Sequence, residues 1–219
     1  MKRILVVAAH PDDELLGCGG TLARQLSQGS EVYCLILGKG MMSRESATID
    51  NQTLLLKSCD QAQASMGITD KWVLDYPDNQ YDTVPLLDVV RSIEQTLLMV
   101  QPDAIFTHYA HDLNIDHQIA FQATLTACRP IHSSSVRGLY SFYTPSATEW
   151  GSDVFEPNMF VDVTQFMDQK LRALSYYDTE LRTDPYPRSV EGIKAFTRYF
   201  GSTVGVEHAE PFKVIRALI

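Results

Sequence analysis

Two short stretches of this chain gather side chains that could bind a metal ion and move protons. The first is His10-Pro11-Asp12-Asp13-Glu14, an imidazole followed by adjacent carboxylates. His10 and Asp13 stand three residues apart, a spacing that can put both on one side of a strand-to-helix turn. Asp12 then projects differently, near a cation without having to bind it, while Pro11 stiffens the turn. Such a cluster concentrates negative charge that a divalent cation would offset. A plain reading also exists: Pro-Asp-Asp can be a helix N-cap whose acids oppose the dipole. It explains Asp12 or Asp13 but not His10.

The second stretch, His108-Tyr109-Ala110-His111-Asp112-Leu113-Asn114-Ile115-Asp116-His117, packs three histidines and two acids into ten residues. One histidine from here, with His10 and Asp13, makes a set of two imidazoles and a carboxylate. Three protein ligands with open positions for water and substrate mark a catalytic metal rather than a structural one. The donor set suits zinc and also iron(II).

Both stretches must follow strands of one sheet for this to work, and the apolar pattern supplies them. Ile4–Ala9 is a continuous apolar run, as expected of a strand covered on both faces. A helix over Leu15–Gln28 ends at Gly29, and Glu31–Leu37 reads as a second strand. Ser46–Met66 is helical, Lys71–Leu74 a short strand, Asp75–Pro85 turn-rich, Leu86–Val100 helical and Ala104–His108 a buried strand. Asp116–Ala127 follows as a helix. Beyond Pro130, Leu139–Tyr143 and Met159–Val163 read as strands, with helices over Gln165–Thr179 and Val190–Gly201. The expected fold is α/β: a Rossmann-like, mostly parallel sheet with helices on both faces, a three-layer sandwich. Residues 1–219 are expected to form one domain. Ligands of such sheets sit beyond the carboxyl ends of the strands, where both clusters fall.

Composition narrows the function classes. A net charge of −9 and a pI near 5.0 argue against nucleic-acid or anionic-membrane partners. The apolar start is too short for a signal peptide, and no stretch reaches the ~18 apolar residues of a membrane span. A cytoplasmic protein is the expectation. Cys18, Cys34, Cys59 and Cys128 form no Cys-x-x-Cys pair and read as buried thiols.

At these residues the sequence resembles the PIG-L/LmbE-like family of zinc-dependent N-acetylsugar deacetylases. The likeness is carried by Ala9-His10-Pro11-Asp12-Asp13-Glu14 with Gly17 and Gly19-Gly20, and by Asp112 to His117. Thr148-Glu149-Trp150, Pro187-Arg188-Ser189 and Ala209-Glu210-Pro211-Phe212 extend it along almost the whole chain. The resemblance implies zinc on His10, Asp13 and His117, with Asp12 as general base. It also implies a small N-acetylated sugar or sugar conjugate as substrate, with acetate and a free amine as products. A related amidohydrolase acting on a thiol-sugar conjugate and a nucleotide-binding α/β domain are the competing readings.

One position departs from the family. Many members carry a histidine three residues before the last metal-binding histidine, paired with the intervening aspartate. This chain has Asn114 there, which cannot deliver a proton but could bond an oxyanion or a sugar hydroxyl. The role is assigned first to His111, with His108 and His208 as alternatives, and Asp116 is expected to orient a histidine or fix the loop. Arg44, Glu149, Arg188 and His208 are further candidates for contacting substrate, each with a solvated or packing role as the plain alternative. Glu14 reads as a supporting or helix-dipole residue. Gly17, Gly19 and Gly20 are not a dinucleotide fingerprint, because position 22 is Leu22. They are expected to serve close helix packing.

Overall fold

A computed structural model describes residues 1–131 and 134–219. Its centre is a seven-stranded sheet in the order β3-β2-β1-β4-β5-β7-β6. The strands are β1 (Arg3–Ala8), β2 (Glu31–Ile36), β3 (Asp70–Val73), β4 (Ala104–Thr107), β5 (Gly138–Phe142), β6 (Met159–Asp162) and β7 (Ala209–Ala217). The first five pair in parallel, and β7 runs antiparallel between β5 and β6.

Period-two alternation sends the side chains of β1 into two cores. Ile4, Val6 and Ala8 face one layer with Cys34, Phe106 and Phe212, while Leu5, Val7 and Ala9 face the other with Leu35, Ile105 and Leu139. Helices α1 (Asp13–Ser27), α2 (Ile49–Met66) and α5 (Met167–Leu174) cover the first face. Helices α3 (Leu86–Val100) and α4 (Ile115–Ala127) cover the second. Helix α6 (Val190–Val204) packs beside β6 and β7. The Rossmann-like three-layer arrangement read from the sequence is the one the chain adopts. All four cysteines are free and buried.

Two elements differ from expectation. α5 spans eight residues instead of Gln165–Thr179: Thr164–Phe166 forms a separate 3-10 turn, and the chain after Leu174 continues as turns. β7, for which the pattern gave no span, is the longest strand and lies beside β5 in the sheet. No helix among the described residues is long and apolar enough to cross a membrane.

Strand order reverses at β1, which has β2 on one side and β4 on the other. The loops leaving β1 and β4 therefore open side by side, where open sheets form their ligand crevice.

Candidate active site

The β1 loop is bent to present its carboxylates. Asp12 sits at φ 99°, a left-handed conformation that costs a residue with a Cβ about 1–3 kcal/mol. It precedes α1, yet its side chain makes no capping bond. The side-chain cap is therefore absent, although Asp13 and Glu14 do stand in the first turn of α1, where acids suit the dipole. The Asp12 N–H instead donates to Glu14 Oε2 at 3.1 Å, and Glu14 is fixed from behind by Gln63 and the Tyr177 hydroxyl at 3.0 Å each. The Asp12 carboxylate accepts from Arg188 Nη1 at 3.0 Å, and Arg188 is itself anchored through Nε on the Pro145 carbonyl.

Asp13 lies between the imidazoles of His10 and His117, with His108 Nε2 also 3.5 Å from its Oδ2. Its Oδ2 is 3.5 Å from His10 Nδ1 and 3.3 Å from His117 Nε2, and it accepts the His10 N–H at 2.9 Å. Its Oδ1 is buried without a hydrogen bond, with Arg188 Nη2 4.0 Å away. A buried carboxylate oxygen with no hydrogen bond leaves lone pairs that an ion or a water could use. Each imidazole also turns its outer nitrogen to a buried carboxylate. His10 Nε2 is 2.8 Å from Asp116 Oδ2, and His117 Nδ1 is 3.2 Å from Asp112 Oδ1, the latter off the line of a good hydrogen bond. Carboxylates behind histidines in this way fix ring orientation in metal sites. The residues present thus fit a divalent ion among His10, Asp13 and His117, whose candidate ligand atoms lie within 4.8 Å of one another.

The supporting carboxylates are themselves held. Asp116 accepts the N–H groups of Asn79 and Tyr81 at 2.6 and 2.9 Å. Asp112 accepts the Thr148 hydroxyl at 2.7 Å and the Asn114 N–H at 2.9 Å. His108 is occupied otherwise: its Nε2 accepts the Ala9 N–H at 2.9 Å, which puts the ring proton on Nδ1, facing Thr144 Oγ1 at 3.2 Å. Burial and the neighbouring His117 also hold its pKa well below the ordinary value.

Burial and charge pull these groups apart in proton affinity. Burial lowers the pKa of His10, but Asp116 and Asp13 outweigh it and push the pKa up to about 10. For His117, burial is outweighed by Asp13 and Asp112, and the value rises to about 9. Burial would raise Asp13, yet His117, His108 and His10 hold it well below the usual carboxylate range. Burial drives Asp12 the other way, well above that range, even though Arg188 opposes it. Adjacent carboxylates in such different states suit different tasks. A metal must displace the imidazolium protons, so its binding releases protons.

The pocket above this cluster is lined by His10, Asp12, Asp13, His117, Asn114 and Arg188, with Arg44, Ser43, Asp78, Asn79 and Glu180 at its flank. Arg44 forms a two-pronged pair with Glu180 at 3.0 and 2.6 Å. Asn114 caps α4 by accepting the Asp116 N–H at 2.8 Å, and its amide donates to Asn79. Three predicted residues are not brought here. His111 is half-exposed and faces Asp153 at 3.1 Å. Glu149 accepts the Ser146 and Ala147 N–H groups, and His208 pairs with Thr197 on α6 at 2.9 Å. Each lies outside the pocket lining.

Sequence reasoning gave no role to Asp78, Asn79, Glu180 or Asp112. Asp78 Oδ1 stands 3.3 Å from His10 Nε2, and Asp78 Oδ2 accepts the Ser43 N–H. The turn-rich stretch after β3 was a usable signal, since it ends at the same sheet edge. The glycines of α1 serve packing as expected: a Cβ on Gly17 would stand 2.2 Å from the Phe142 ring, and one on Gly20 2.8 Å from Val163.

A doubly wound sheet with a buried His/Asp cluster and an adjacent carboxylate at its switch point makes a candidate metal site beside a group that could move protons. The chain belongs to the PIG-L family: the family described as GlcNAc-PI de-N-acetylase matches residues 5–128. It is a PIG-L family deacetylase, a hydrolase acting on amides. It is 22% identical to the diacetylchitobiose deacetylase of Thermococcus kodakarensis over 98% of this chain and 84% of that protein. Among solved structures, the conserved protein TT1542 of Thermus thermophilus is 29% identical with a TM-score of 0.81, covering 100% of this chain and 97% of that one. GalB, the 4-carboxy-2-hydroxymuconate hydratase of Pseudomonas putida, shares the fold at 20% identity and a TM-score of 0.78, covering 100% and 98%. That scaffold thus hosts more than one chemistry, and the side chains must carry the assignment.

Proposed function

We propose that this chain removes the acetyl group from a small N-acetylglucosamine-type glycan or conjugate, using zinc held by His10, Asp13 and His117. The observation that carries this reading is the buried Asp13 carboxylate, its Oδ1 without a hydrogen bond and its Oδ2 set beside two imidazoles whose outer nitrogens face carboxylates. Bound there, zinc would supply Lewis acidity, bringing the pKa of a water towards ~7 and opposing charge on the acetyl oxygen.

Asp12 takes the proton of the attacking water. Arg188 aims its carboxylate, and the strained backbone at φ 99° keeps that carboxylate off the helix start. The leaving amine needs a proton in turn. His111 and His208 stand outside the pocket, and His108 is committed to Ala9 and Thr144. Asp12 is therefore assigned both duties, accepting a proton and then returning it to the amine. Asp116 and Asp112 orient His10 and His117 rather than touching substrate. Asn114, Arg44 and Arg188 remain the groups that meet the sugar or its substituent.

A screen of N-acetylated sugars, disaccharides and sugar conjugates, read by acetate release, tests the proposal. Release should occur, stop after chelation and return with zinc or another divalent transition metal. Protein loaded with metal that frees no acetate from any member would overturn it.

A further inference from the structure

Helix α1 breaks in its middle, and charge fills the break. Cys18 leaves the helical region at φ −144° and ψ 16°, so α1 is two segments. In an unbroken helix the Gly20 N–H would bond the Leu16 carbonyl, four residues back. Here the Gly20 N–H donates to Glu210 Oε1 at 2.8 Å, and the Leu16 carbonyl accepts from Lys170 Nζ at 2.9 Å. Lys170 Nζ and Glu210 Oε1 are themselves 2.6 Å apart. An ion pair thus stands inside one opened helical bond. Glu210 Oε2 also accepts the Thr21 N–H at 2.7 Å. The signs match the cut ends, with the carboxylate at the start of the second segment and the ammonium at the end of the first.

Both residues are 1% exposed, Lys170 coming from α5 and Glu210 from β7. Glycine makes room for them: a Cβ on Gly19 would stand 3.3 Å from Lys170 Cγ, and one on Gly20 would stand 3.1 Å from Glu210 Oε1. A buried pair of this kind is a weak source of stability, because desolvating both ions offsets their attraction. Its effect is geometric, since a side chain inserted into the hydrogen-bond ladder is an established cause of a sharp helix bend.

The segment ahead of the bend carries Asp13 and Glu14. We infer that Lys170 and Glu210 are positioning residues for the metal centre: by holding α1 open between Leu16 and Gly20, they aim Asp13 between His10 and His117. This inference rests on the function proposed above. It gives the C-terminal part of the chain a task at a site whose ligands all come from the first 117 residues.

The test compares wild type, Lys170→Met and the double variant Lys170→Met/Glu210→Met. The double variant buries no charge and frees α1 to close its own bond. If the single variant does not fold, the double variant carries the test. Zinc affinity is read by chelator competition, stability by thermal unfolding in EDTA, and local structure by hydrogen exchange across residues 13–21. The double variant should unfold in EDTA close to wild type, yet bind zinc at least ~10-fold more weakly. A merely structural pair would alter unfolding and leave zinc affinity within about twofold of wild type, which would overturn the inference. If wild type itself takes up no divalent metal, the functional reading fails instead. Hydrogen exchange then decides: altered protection across 13–21 supports the pair as the holder of the bend, and unchanged protection overturns it.

Discussion

The loops after β1 and β4 and the C-terminal part of the chain build the same pocket by different means. The loops contribute side chains in runs, His10 to Glu14 and Asp112 to His117, so that neighbours in sequence are neighbours in space. The C-terminal part contributes isolated residues, each meaningful only through a distant partner. Arg188 acts on Asp12, Glu180 on Arg44, Thr148 on Asp112 and Glu210 on the opened helix. Groups assigned to the chemistry are therefore clustered, together with Glu14, Asp112 and Asp116 that support them, and the groups that reach them from the C-terminal part are dispersed.

The largest expected effect belongs to the clustered side. Asp12→Asn should lower kcat by ~10²–10⁴-fold, the usual worth of a general acid–base group, while zinc content stays at that of wild type. Arg188→Gln keeps Asp12 but releases its carboxylate. It should lower kcat by about 10-fold to 10²-fold, the scale of a misplaced reacting group. Equal losses in the two variants, measured by acetate release, would erase the division between acting and aiming.

Next come the carboxylates behind the histidines. Asp112→Asn and Asp116→Asn should each weaken zinc binding by about 10–100-fold, as for other outer partners of metal-bound histidines. The two sharpen the comparison because they differ in support. Asp116 is held by the backbone of Asn79 and Tyr81, whereas Asp112 depends on the Thr148 hydroxyl from the later region. Thr148→Val should therefore reproduce part of the Asp112→Asn defect. Unchanged zinc affinity in Thr148→Val would show that the later region does not reach the metal centre by this route.

This contrast also explains what the sequence made legible. That His10, Asp13 and His117 meet could be read because strand-end clusters are local, and the β–α rhythm puts both clusters on one sheet edge. Arg188 and Arg44 could be named but not given partners, since Asp12 and Glu180 lie 176 and 136 residues away in the chain. Glu149 and His208 carry suitable chemistry, yet neighbouring backbone or a threonine uses it up. His111 shares the loop with His117, but that loop turns it towards Asp153 and solvent. The break in α1 left only glycines as a trace, and glycine reports room without saying what fills it.

The smallest effect is expected at Asn114, where the family resemblance leads one to expect a histidine. A histidine there would on chemistry alone restore a missing proton donor, but the asparagine has other work. Its Oδ1 caps α4 at the Asp116 N–H, and its amide donates to Asn79, whose own N–H holds Asp116 Oδ2. Asn114→His removes a cap worth roughly 1 kcal/mol, which for a chain of this size lowers Tm by about 2–4 °C. Asn114→Asp keeps a capping oxygen and should keep most of that stability. On the proposal that Asp12 carries the proton in both directions, Asn114→His should leave kcat within about threefold of wild type or below it. A gain of ~10-fold or more would mean that proton delivery to the amine is what limits this enzyme, and Asp12 would lose its second duty.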